Sequence, residues 1–168
     1  APPPLEKPYP ADGLRIDLAA KDAWRSISPI DLISAIEDRS SHRAFAPEPL
    51  TLEEVSFLFF STQVIRRKAG ESTAFRTVPS AGCRHALETY LCVLNVTGLE
   101  QAIYRYLPIE HQLLLVSREK DLPQKITAAA LNQSFVGRAP VTFIWTAIPY
   151  RMEWRYDGAA HKVIALDA

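Results

Sequence analysis

The chain has 168 residues, 48% of them apolar and 23% charged, with nineteen basic side chains balancing nineteen acidic ones. That length sets one ordinary domain able to bury roughly two thirds of its unfolded surface. The cancelled charge removes any electrostatic argument for a nucleic acid or an anionic membrane, and no apolar run approaches the ~20 residues that cross a bilayer. Neither partner is expected.

Cys83 and Cys92 are the only cysteines. One such pair is neither a disulfide framework nor a zinc set, and a reduced, cytoplasmic protein fits it best. The chain begins with Ala1 and has no apolar signal core, which reads as a trimmed start. The glycosylation sequons at Asn95 and Asn132 read as chance matches, because Asn95 falls in a strand with a buried pattern.

In chain order, residues 1–27 hold five prolines and no apolar periodicity, which reads as an extended arm ahead of a domain over 28–168. A first helix is expected from a Ser28 cap and Pro29, with Ile30, Ile33 and Ile36 at helical spacing toward Arg39. A second opens at the capping box Thr51-Leu52-Glu53-Glu54 and turns Leu52, Val55, Phe59 and Phe60 to the core. Residues 64–82 read as a long loop, basic at Arg66, Arg67 and Lys68. Strands follow at Tyr90–Val96, Ile103–Leu107 and Leu113–Val116, then a helix from Asp121 to about Asn132. The unbroken apolar run Val141–Ile148 reads as a central, two-sided strand, and the chain from Glu153 onward as helix. The sum is an α+β domain. No Gly-x-Gly-x-x-Gly turn or P-loop is present, which argues against the usual dinucleotide and nucleotide sites.

Two segments carry the chemistry. Arg39-Ser40-Ser41-His42-Arg43 puts two guanidinium groups and two hydroxyls into one stretch after a helix, which suits a phosphate dianion. Pro79-Ser80-Ala81-Gly82-Cys83-Arg84-His85 is a tight, small-residue loop before a strand. It lets backbone approach a flat ligand, with Arg84 and His85 placed to bond a heterocycle. Together they point to a phosphorylated aromatic cofactor, FMN. None of His42, His85, His111 and His161 has a metal-ligand spacing, so no metal site is expected.

The two segments together resemble the nitroreductase superfamily. Arg39-Ser-Ser-His-Arg43-Ala-Phe is similar to its opening Arg-x-Ser-x-(Arg/Lys)-x-Phe signature. Pro79-Ser-Ala-Gly-Cys-Arg-His85 with Leu87-Glu88-x-Tyr90 looks like the SagB/ThcOx-type branch. So do Ile103-Tyr104-Arg105-Tyr106 and the terminal His161-Lys-Val-Ile-Ala-Leu-Asp167-Ala168. The resemblance implies a central, mainly antiparallel sheet flanked by helices and an FMN-dependent oxidoreductase, normally a homodimer with flavins at its interface. It implies phosphate contacts from Arg39, Ser41 and Arg43 with Ser40 nearby, and Pro79, Ser80, Ala81 and Gly82 along the isoalloxazine ring, beside Arg84 and His85. Reduced NAD(P)H is then a transient donor. The catalytic candidates are Tyr156 and Arg155, standing where the azole-forming branch has a Tyr and a Lys. Arginine stays protonated near neutral pH, so Tyr156 is left to handle a proton. The family pattern runs on past Ala168, so the chain is expected to be the N-terminal portion of that domain. Two other readings are a non-catalytic binding or assembly subunit with the same fold, and an azoline dehydrogenase in a modified-peptide synthetase complex.

Overall fold

A computed structural model describes residues 2–70 and 72–168. Ala1, the first residue of the expected arm, and Glu71, inside the expected long loop, lie outside the described residues. The first half runs β1 (Arg15–Asp17), α1 (Leu32–Glu37), α2 (Leu52–Thr62), β2 (Ile65–Lys68) and β3 (Ala74–Arg76). The second runs β4 (Leu87–Val93), β5 (Ala102–Leu107), β6 (Gln112–Ser117), α3 (Leu122–Ala129), β7 (Val141–Ala147), α4 (Tyr150–Tyr156) and α5 (Ala160–Asp167). A five-stranded antiparallel sheet in the order β1-β6-β5-β4-β7 forms the centre, and β2 and β3 make a separate hairpin. The result is an α+β fold, a mainly antiparallel sheet flanked by helices. Among the described residues no helix is long and apolar enough to cross a membrane.

The second helix forms as its sequence dictates. Thr51 Oγ1 accepts the Glu54 amide at 3.1 Å, and the Glu54 carboxylate accepts the Thr51 amide at 2.7 Å. From that cap, Val55 and Phe59 reach the sheet and pack with Leu91, Val93, Tyr104 and Tyr106. Phe59 stacks on Tyr106 with ring centroids 4.2 Å apart. Each such burial stabilises by roughly 1.5–3 kcal/mol.

Several boundaries differ from the sequence reading, each for a visible reason. Asp31, not Ser28, caps α1: its carboxylate accepts the Ser34 amide at 3.0 Å and the Ser34 hydroxyl at 2.6 Å. Ile30, Leu32, Ile33 and Ile36 then face outward, between 63% and 74% exposed. The expected 64–82 loop contains the β2–β3 hairpin, paired with a register shift between Ile65 and Arg67. Its Ile-Arg-Arg-Lys strand has no apolar alternation to announce it. β7 is an edge strand rather than a central one. Its run is unbroken because Phe143 packs on the α2-facing core while Ile144 packs with Cys92, Leu94 and Leu122. Cover on both faces, not the number of paired neighbours, writes a continuous apolar run. The terminal helix is broken in two at Asp157, whose φ is +44°. The arm also contributes a strand, β1, which pairs with β6.

A buried polar network fastens the arm to the sheet. Arg151, 1% exposed, donates from Nη2 to Glu88 Oε1 at 2.6 Å. The same Glu88 oxygen accepts the Lys7 amide at 3.3 Å, and Arg105 Nη2 donates to the Lys7 carbonyl at 2.8 Å. Next to them Glu6 is buried, accepting the Ile109 amide at 3.3 Å.

Two outcomes are expected. Arg151→Ala should lower the unfolding free energy in urea by about 3–5 kcal/mol, because it strands the Glu88 charge in the interior. The paired Arg151→Met, Glu88→Leu variant should regain most of that loss, and a single variant as stable as the parent contradicts the role given to the pair. For Glu6, burial pushes the carboxyl from 4.5 up to about 7, outweighing the Ile109 amide that lowers it. A raised folded-state value contributes stability below about 4.5 that is lost as pH rises through about 7. Melting of Glu6→Gln should therefore match the parent at pH 4 and lie above it at pH 8; the opposite order contradicts the assignment.

Candidate functional site

The segment 79–85 forms a turn of left-handed backbone at the start of β4. Gly82, Cys83 and His85 have φ of +58°, +54° and +47°. Two of these carry a Cβ, and each such residue costs roughly 1–3 kcal/mol unless its surroundings impose the conformation. The surroundings do. Arg84 Nε donates to the Gly82 carbonyl at 3.0 Å, and Arg84 Nη2 to Thr73 Oγ1 at 2.6 Å. Arg151 Nη1 donates to the His85 carbonyl at 3.0 Å. The Asp167 carboxylate accepts the Ser80 hydroxyl at 2.5 Å and the Ala81 amide at 3.1 Å. The Ser80 oxygen in turn accepts the His85 amide at 2.9 Å.

Gly82 is favoured by its positive φ and lies against the tips of two side chains. A Cβ there would stand 2.7 Å from Tyr156 Oη and 2.9 Å from Arg155 Cδ and Nε. The loop, Tyr156 and Arg155 are thus brought together, with Ala81 and Tyr156 packed beside Ala86, Met152 and Ala160. On the loop lies a cleft of about 350 Å³, lined by Phe75, Arg76, Val78, Pro79, Cys83 and His85 among others.

The His85 ring is turned inward, its Nε2 3.1 Å from the Ala74 carbonyl. Burial and then the Arg76 charge push its pKa down to about 4, so it is neutral near pH 7. A carbonyl accepts, so Nε2 carries the proton and Nδ1 keeps a bare lone pair. Arg84 gives Nε to Gly82 and Nη2 to Thr73 and lies over Trp154, 5.6 Å from the ring centroid.

The other segment lies elsewhere. Arg39, Ser40, Ser41 and Arg43 are all exposed, outside regular structure. Ser40 Oγ is 2.9 Å from His42 Nε2, and the Arg43 guanidinium sits 5.6 Å from the Phe135 ring centroid. The chain just beyond is fixed at the C-terminal end of β4: Asn95 Nδ2 donates to the Pro47 carbonyl at 3.1 Å and Leu50 bridges to Val96. Loop and Arg43 therefore sit at opposite ends of a seven-residue strand, roughly 20 Å at ~3.3 Å per residue.

Sequence reasoning passed over three residues of this corner. Asp167 and Glu88 enter the sequence reading only as members of matched motifs with no role of their own, and Arg151 does not enter it at all. Their partners lie 86, 66 and 63 positions away, so no local pattern marks them. The one available signal is an ionisable residue inside an otherwise apolar helix or strand.

The comparisons with known proteins agree with this architecture. Residues 36–168 match the nitroreductase family, and the chain belongs to it. A protein of Methanocaldococcus jannaschii that carries the provisional name nitroreductase is 35% identical over 121 residues, covering 72% of this chain and 59% of the relative. The chain thus spans about 59% of the length of that curated relative. A provisionally named nitroreductase of Ralstonia eutropha matches with TM-score 0.68 and 26% identity, over 99% of this chain and 73% of its own. Another from Anabaena variabilis matches with TM-score 0.69 and 24% identity, over 96% of this chain and 29% of its own. The Escherichia coli microcin synthetase McbBCD complex, with truncated pro-MccB17 bound, shares the fold at TM-score 0.57 and 15% identity, over 90% and 59% of the two chains.

Gly82→Ala should cost about 1–2 kcal/mol in denaturant unfolding from its backbone alone. The cost should be smaller in a Tyr156→Phe background, which removes the hydroxyl 2.7 Å from the new methyl. Equal costs in both backgrounds would show that the loop does not rest on Tyr156.

Proposed function

We propose that this domain is an FMN-dependent oxidoreductase of the nitroreductase family, moving a hydride equivalent from a reduced donor to a small organic acceptor. The observation that carries the reading is the left-handed loop at 79–85, with Tyr156 and Arg155 packed against Gly82. The residues present fit FMN at both ends. The cleft beside Pro79 and His85 is bordered by a loop whose side chains are small, and the Arg39–Arg43 segment offers two exposed guanidinium groups and two hydroxyls. When bound, FMN supplies the two-electron chemistry; the protein binds, orients and excludes competitors.

In this reading Arg39, Ser41 and Arg43 hold the phosphate, with Ser40 beside them, and Pro79, Ser80, Ala81 and Gly82 run along the ring. His85 offers a neutral acceptor at Nδ1. Arg84 stiffens the loop from within. Tyr156 holds or moves a proton at Oη, while Arg155 stays a fixed cation. Reduced nicotinamide dinucleotide serves as a transient donor without a dedicated Rossmann site.

The separation of the two segments supports a further part of the proposal. Within one copy the two segments stand at opposite ends of β4, roughly 20 Å of strand, and share no cleft among the described residues. We therefore place the phosphate segment of one copy opposite the ring loop of a second, in a homodimer. The outward apolar face of α1, just before Arg39, gives such a dimer surface to bury.

FMN titration followed by flavin fluorescence tests the reading. Arg39→Ala should weaken binding roughly thirtyfold, about 2 kcal/mol for a lost charge-assisted phosphate contact. Unchanged affinity in that variant means the phosphate assignment is wrong. A colourless protein that FMN fails to stabilise thermally assigns the fold to a binding or assembly role instead.

A further inference from the structure

We propose that Asp167 is the positioning residue of the ring loop, acting through Ser80 and Ala81. The inference rests on the flavin reading above for its functional meaning, and on hydrogen bonding alone for its geometry. The C-terminal half of the loop has several independent ties, to Thr73, Ala74 and Arg151. The N-terminal half has Asp167. One carboxylate oxygen takes the Ser80 hydroxyl and the other takes the Ala81 amide.

Donor and acceptor logic makes this contact decide the loop's shape. The His85 amide can only donate, so Ser80 Oγ is the acceptor in that bond at 2.9 Å. A hydroxyl carries one proton. With the oxygen accepting from His85, that proton is directed to Asp167. The chain Asp167–Ser80–His85 therefore closes the loop end to end and spans the residues with positive φ. Strained backbone persists only where its surroundings over-determine it, and Asp167 supplies that for the half that would lie along the ring. The same carboxylate lines a cavity of about 30 Å³ at the back of the loop, together with Gln63, Arg76 and His85.

Two substitutions separate the possibilities. In Asp167→Ala the Ser80 hydroxyl loses its acceptor and the Ala81 amide is left without a partner. In Asp167→Asn the side-chain oxygen still accepts the Ala81 amide, and Nδ2 can donate to Ser80 Oγ once the hydroxyl turns its own proton away, so both ties of the loop are kept. Amide hydrogen exchange on the flavin-free chain gives the first readout. Asp167→Ala should speed exchange at Ala81 and His85 at least tenfold while β4 amides keep their protection; Asp167→Asn should stay near the parent. Unchanged exchange in Asp167→Ala overturns the assignment. The second readout is FMN affinity, expected to fall at least tenfold in Asp167→Ala and to be largely restored in Asp167→Asn. Parent-like affinity in Asp167→Ala also overturns it. A parent that binds no FMN sinks the flavin reading instead, and the exchange result then decides the role of Asp167 by itself.

Discussion

One buried guanidinium organises the corner on which the site depends. Arg151, on the first turn of α4, bonds the His85 carbonyl and the Glu88 carboxylate. The first bond ends the left-handed loop; the second fixes the start of β4. Glu88 also accepts the Lys7 amide, so the proline-rich arm, the loop and α4 meet at a single charge pair. A buried pair of this kind is expensive to desolvate, and hydrophobic replacements often stabilise as well or better. What it supplies is direction: of two donors at fixed angles, one holds the carbonyl of His85, whose φ is unfavourable, and the other holds the Glu88 carboxylate.

That corner explains why the loop holds its strained shape. Its ties reach β3, the Thr73 hydroxyl, α4 and α5. None of them runs through a side chain of the phosphate segment, which stands at the other end of β4. The two halves of the proposed cofactor site are thus built independently. One is cross-tied and partly buried; the other is exposed and follows the short, outward-facing helix α1.

Much of the fold could be read from the sequence where a local rule suffices. The capping box placed the start of α2 to the residue, and the β-branched and aromatic runs placed β4, β5 and β6 within a few positions. Local rules failed where tertiary context decides. A polar hairpin at 65–76 left no periodic trace, and an edge strand covered on both faces imitated a central one. Asp31 outcompeted Ser28 as a cap because Ser34 answers it with two donors. For the site, Gly82 and its small neighbours disclosed a tight turn, and the resemblance singled out Arg155 and Tyr156, which the fold sets against Gly82. Asp167 and Arg151 were illegible because their partners are distant in the chain and an isolated acid or arginine in a helix is usually a solvated one.

The central claim is that the 79–85 loop and the Arg39–Arg43 segment grip opposite ends of one flavin, contributed by two copies of the chain. A crystal structure grown with FMN is the most direct test. The account predicts the isoalloxazine ring along Pro79–Gly82 of one copy, with the phosphate at Arg39, Ser41 and Arg43 of the other. A flavin bound away from the loop, or held at both ends by a single copy, contradicts it.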